Sequence, residues 1–184
     1  CQAETKALYG RGRVVVWTRK GAPRVMTLAE LMEARFVKIS LANPEHAPYG
    51  AAAKQALERA GVYDQVKSRL VYGENILQTK QFADSGNAEV AIVALSLAIG
   101  SEGTYAEIPT ERHDPLDQAL VVCAPDARVP AARAFADFVA TEKGRTIMRK
   151  FGFIRPDDAA EPSASRSASP SASASPSPSV STSP

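Results

Sequence analysis

Two short stretches hold the residues best placed to do chemistry. Leu41–Ala53 reads "LANPEHAPYGAAA", and Val71–Gln78 reads "VYGENILQ". In each, an apolar strand pattern stops at a turn and a helix pattern begins, near Tyr49 in the first and near Asn75 in the second. The first turn of a helix carries N–H groups that have no acceptor inside the helix. It also carries the positive end of the helix dipole. Two such starts brought together would make a small anion site of backbone donors, with the Tyr49 hydroxyl as a further candidate. A site of that kind needs no lysine or arginine and selects an oxyanion by size and protonation state. Glu74 counts against it, unless that carboxylate points away and caps its own helix. On the residues alone, two ordinary connections are the competing explanation.

Catalytic patterns are thinner. His46 has Glu45 beside it, but sequence neighbours need not face one another. His113 and Asp114 sit in a polar "ERHDP" turn that reads as surface loop. There is no nucleophile elbow, no GxGxxG and no P-loop. Two histidines and two distant cysteines make no metal-ligand spacing. The expectation is a protein that is not an enzyme.

The elements that must position these turns alternate. Strands are predicted at Val14–Thr18, Val37–Ala42, Arg69–Tyr72, Glu89–Leu95, Thr104–Ile108 and Gln118–Ala124. Helices are predicted from Thr27, where Thr27 and Glu30 have capping-box spacing, then over 51–60, 75–85, 130–140 and 142–151. Gly61 and Gly86 are placed to end two of them. Strands separated by helices argue for an α/β sheet with parallel pairs, whose ligands sit beyond the strands' carboxyl ends. The stripes Leu57/Ala60 and Phe135/Phe138/Val139 read as helix faces turned to that sheet.

Composition narrows the classes. The 184 residues are 45% hydrophobic and carry a net charge of +2, enough for one domain or two small lobes. No basic stripe with interleaved aromatics points to nucleic acid. No signal peptide and no long apolar run is present, so nothing in the chain is expected to span a membrane. Cys123, in "ALVVCAP", reads as a small buried apolar residue, and a Cys1–Cys123 disulfide is an option that two cysteines do not by themselves support. From Pro162 onward serine occupies every odd position from Ser163 to Ser183, a composition with too little apolar surface to order itself.

Four segments carry a family resemblance: "LANPEHAPYGAAAKQALERAGVYD", "LVYGENILQTKQF", "GNAEVAIVALSLA" and the closing "MRKFGF". In order and spacing they resemble the periplasmic molybdate-binding proteins of ABC importers, over Tyr9 to about Pro156. The resemblance implies a two-lobed solute-binding protein that holds molybdate or tungstate with amides and hydroxyls. It would pass the anion to an ABC permease from a periplasmic or other extracytoplasmic location, with no cofactor. Carried over by motif, Tyr49 and Ile76 are the oxyanion contacts. Ala94 stands where some members place a tyrosine, so it is not counted as a side-chain ligand.

The implied fold is a periplasmic-binding-protein-like α/β lobe with a mixed, mainly parallel sheet. Its expected parts are a lead-in over 1–12, a second lobe over 13–124, returning first-lobe helices over 125–158 and a disordered Ser/Ala/Pro tail over 159–184. Family members begin with a further βαβα segment, so a missing first-lobe segment is expected, and with it an incomplete cleft. Cys1 fits a lipidated residue left by signal cleavage or an arbitrary truncation point, and the resemblance favours truncation. The returning helices would then expose Phe135, Phe138 and Ile147. The competing function is a stand-alone interaction or regulatory module built on the same lobe.

Overall fold

A computed structural model describes residues 1–155, and the expected tail over 159–184 lies outside them. Its strands are β1 (Gln2–Gly12), β2 (Val14–Thr18), β3 (Ile39–Ala42), β4 (Leu70–Gly73), β5 (Val90–Ala94), β6 (Thr104–Glu107) and β7 (Leu116–Val122). Its α-helices are α1 (Pro48–Arg59), α2 (Tyr63–Val66), α3 (Ile76–Asp84), α4 (Leu95–Ala98), α5 (Val129–Ala140) and α6 (Glu142–Lys150).

Five strands form one sheet in the order β4-β3-β5-β2-β6. The β3–β4 and β3–β5 pairs are parallel, whereas β2 runs antiparallel to both β5 and β6. Four of the five strands therefore run in one direction and β2 alone runs against them, which is the mixed, mainly parallel sheet that the resemblance implies. Helical crossovers make the β3–β4–β5 half parallel, but β2 enters from outside the sheet and is free to pair antiparallel. From β3 the chain passes through α1 to β4 on one side, then through α3 back across to β5 on the other. Right-handed crossovers in opposite directions put their helices on opposite faces.

The core follows from that arrangement. Val14, Val16, Ile39, Leu41, Val90 and Ile92 point to one face, where Ala52, Ala53, Ala56 and Leu57 of α1 cover them. Val15, Trp17, Ala91 and Val93 point to the other, with Ala83 of α3. Strands buried on both faces read as continuous apolar runs, which is what "VVVWT" and "VAIVA" are. Each fully buried valine, leucine or isoleucine stabilises the fold by about 1.5–3 kcal/mol relative to exposure.

The region over 1–12, expected as a lead-in, is a strand. β1 pairs antiparallel with β7 from Gly12↔Leu116 to Gln2↔Val122, making a two-stranded ribbon that leaves the sheet. Arg11 holds Asp117 through two hydrogen bonds of 2.6 and 3.1 Å. Its backbone exchanges both hydrogen bonds with Ile154. At the ribbon's far end Cys1 and Cys123 form a disulfide. Cys123 is exposed, not a buried apolar residue, because it lies one residue past β7 where the register brings it opposite Cys1.

Beyond β7, α5 and α6 pack on each other, and α5 buries none of its residues. Phe135 is 67% exposed and Phe138, Ile147 and Phe151 are also open to solvent. The Phe135/Phe138 stripe is thus left exposed although α5 lies against β7, whereas Leu57 is fully buried.

The helix expected from Thr27 is a five-residue 3-10 turn, Leu28–Met32. The capping expectation itself holds, since the Glu30 carboxylate accepts from the Thr27 N–H at 2.9 Å. Glu33 is already extended, and the chain turns inward to bury Phe36. Val37, expected in the next strand, is 60% exposed.

Candidate functional site

Both helix starts lie at the carboxyl ends of adjacent parallel strands, in register at Ala42↔Gly73. Asn43 winds the first connection. Its N–H donates to Gly73 O at 2.8 Å, its carbonyl accepts from His46 and Ala47, and its side-chain oxygen accepts from the Glu45 N–H. Helix α1 then begins with Ala47 as N-cap and Pro48 in its first turn. Alanine offers no capping oxygen and proline brings no N–H. The first helical hydrogen bond is Ala51 N–H to Ala47 O, at 3.0 Å. The Tyr49 and Gly50 N–H groups therefore keep no acceptor among the described residues. Gly50 lets the helix start sit directly on the strand end, because a Cβ there would overlap the Ala42 carbonyl.

Helix α3 starts differently. Asn75 is a true N-cap, its side-chain oxygen accepting from Leu77 N–H at 3.1 Å and Gln78 N–H at 2.9 Å. The Thr79 N–H donates to Asn75 O, and the Gln78 side chain accepts from Glu74 N–H at 2.6 Å. Those bonds use every donor of the first turn except the Ile76 N–H. Capping by Glu74 is not seen, since Asn75 does that work and Glu74 is exposed. Ser40 pins the helix to the sheet by sharing its one hydroxyl proton between Thr79 O and Val90 O.

The Tyr49 ring is half-buried against the core under α1, and its hydroxyl lies over Gly12 at the end of β1. Burial first, and then the nearby Tyr9 phenol, push its pKa up to about 12. The phenol is thus a proton donor throughout the neutral range, and among the described residues it has no hydrogen-bond partner. Neither helix carries an acidic residue in its first turn. The site offers three backbone N–H groups and one hydroxyl, all uncharged.

Tyr49 and Ile76, both picked out in the sequence, fall on these adjacent strand ends. The Gly50 N–H was missed, although Pro48 preceded by a residue unable to cap was its visible sign. Ala94 is buried at the N-cap of α4, and the following Leu95 N–H is taken by Arg13 O. His46 and Glu45 are both exposed. His113 is not on the surface: it is 4% exposed, with Nδ1 on Asp114 O and Nε2 unpartnered. The Gln55 and Arg59 side chains of α1 grip Asp114 and so press the "ERHDP" turn inward. A hollow of about 320 Å³ lies elsewhere, between Met26, Leu28, Ile108 and Arg112, and touches neither helix start.

The chain matches the family model for bacterial extracellular solute-binding proteins over residues 2–154. The chain belongs to that family. As a solute-binding protein it has well-matched relatives. It is 35% identical to the molybdate-binding protein of Rhodobacter capsulatus over 147 residues, 79% of this chain and 58% of the relative. It is 34% identical to that of Azotobacter vinelandii over 155 residues, 82% of this chain and 62% of the relative. The solved Azotobacter vinelandii periplasmic molybdate-binding protein superposes with a TM-score of 0.74 at 25% identity, covering 84% of this chain and 69% of that one. The chain thus spans about three-fifths of the length of these two curated relatives. Among the described residues, no helix of this solute-binding protein is long and apolar enough to cross a membrane.

Proposed function

We propose that this chain supplies one wall of an oxyanion cleft in an importer's solute-binding protein, with molybdate or tungstate as cargo. The observation that carries the proposal is the pair of helix starts at adjacent parallel strand ends, where the N–H groups of Tyr49, Gly50 and Ile76 have no acceptor among the described residues, with the protonated Tyr49 hydroxyl as a further candidate donor. A tetrahedral dianion has only acceptor oxygens, so each donor can be answered without a counter-charge. The relatives named for molybdate support the choice of anion. Selection against sulfate would then come from the room between the walls, molybdate and tungstate being the larger ions.

The described donors come from one side of the ribbon. The opposing donors are proposed to come from a first-lobe segment of the kind the longer relatives have room for. The loaded protein would work outside the cytoplasm and hand its anion to an ABC permease. Calorimetric titration with molybdate, tungstate and sulfate tests this. The chain alone should bind molybdate weakly, and a complementing first-lobe fragment should raise the affinity. Nanomolar binding by the chain alone would overturn the one-wall argument, and no response even with the complement would overturn the anion assignment. A second reading, an interaction module, is favoured by one observation: the exposed Phe135, Phe138 and Ile147.

A further inference from the structure

We infer that Gly12 is a positioning residue for the oxyanion site: the space its missing side chain leaves is where the Tyr49 phenol lies. A Cβ built on Gly12 would overlap the Tyr49 hydroxyl oxygen and come within 2.9 Å of Cζ and 3.4 Å of Cε1. These three Tyr49 atoms are the nearest neighbours of that position. Gly12 does not adopt the left-handed backbone that favours glycine, so an alanine there is opposed by the phenol and not by the main chain.

The place matters as much as the space. Gly12 is the last residue of β1, paired with Leu116 at the first residue of β7. There β1 passes directly into β2 of the five-stranded sheet, and Leu116 joins the core packed under it. On one side Arg11 is tied to Asp117 and Ile154. On the other, Arg13 donates to Gly152 O at 3.0 Å and to Glu107 at 2.7 Å. The phenol therefore rests on a braced point of the ribbon. Helix α1 sets the Tyr49 backbone donor, and the ribbon sets the direction of its hydroxyl. A change in ribbon geometry would reach the anion through this one contact.

The inference rests on the anion-binding reading above, and its test separates the two. The full chain is labelled with ¹³C at tyrosine Cζ, and the Tyr49 resonance is identified by its loss in Tyr49→Phe. In the wild type this resonance should titrate well above the ordinary phenol value. In Gly12→Ala the expelled phenol should titrate closer to ~10. Gly12→Ala should lower the melting temperature, and the loss should disappear in a Tyr49→Ala background, where the space is empty. Molybdate affinity should fall in Gly12→Ala by no more than in Tyr49→Phe, roughly ten- to hundredfold, with no further loss in the double variant.

A Tyr49 titration unmoved by Gly12→Ala overturns the inference. So does an equal thermal cost in both backgrounds, a failure of Gly12→Ala to fold in either, or losses of affinity that add. Absence of any molybdate response from the wild type, even with the complementing first-lobe fragment, overturns the anion reading instead, and the titration and suppression arms still decide whether Gly12 holds the phenol.

Discussion

At the scale of single residues, Tyr49 carries two measurable consequences. Its hydroxyl should contribute one hydrogen bond to a charged acceptor, so Tyr49→Phe should weaken molybdate binding by about 1.5–3 kcal/mol. A calorimetric titration showing no change would mean that only its N–H is used. The same phenol should make the fold sensitive to alkali. The unfolded chain releases that proton near pH ~10, whereas the folded one holds it to about 12. The folded state binds more protons in that window, so stability is intact below about pH 10 and falls as pH climbs towards 12. Thermal melts across the window should show a shallower fall in Tyr49→Phe. The two helix starts, at Pro48 and Ile76, were legible because a strand pattern, a turn and a helix pattern follow one another within a dozen residues. His113 was not, because its burial depends on Gln55 and Arg59 of α1 gripping its neighbour Asp114, and no local pattern records that grip.

At the scale of elements, the two helix starts differ in what holds them. Helix α3 owns a side-chain cap, so Asn75→Ala should lower stability by about 0.5–2 kcal/mol, read by denaturant unfolding. Helix α1 has no such cap to lose. The ribbon depends on its disulfide more than a central strand would, because a two-stranded sheet alone is marginal in water. Reduction, or Cys123→Ser, should cost about 2–5 kcal/mol and lower the melting temperature. An unchanged melt under reductant would mean that the remaining ribbon contacts suffice. The buried strands β2 and β5 were plain from their unbroken apolar runs. Strand β1 was not, for the ribbon is solvated along most of its length and "QAETKALYGRG" shows no alternation. The 3-10 turn at Leu28–Met32 shows the converse limit: Thr27 and Glu30 fix where a helix starts, while the burial of Phe36 decides where it stops.

At the scale of the molecule, the apolar face of α5 and α6 separates the two functional readings. Should it be a pairing surface, light scattering will report a stable dimer, and Phe135→Ser with Phe138→Ser will return it to monomer. A monomer at all accessible concentrations favours the one-wall reading. The alternation of strands and helices was legible in the chain, but the one reversed strand was not. That reversal depends on β2 arriving through the ribbon. The ribbon has one more consequence. Because the Cys1–Cys123 bond joins the beginning of β1 to the end of β7, residues 1–123 form a covalently closed circle that holds the whole sheet and both helix starts. A circle has no privileged first residue. The backbone could be cut at the exposed Gly21 turn without unthreading a strand, and the sheet would keep both halves. The same adjacency of Cys1 and Cys123 makes the lobe a cassette that a host protein could carry within one of its surface loops.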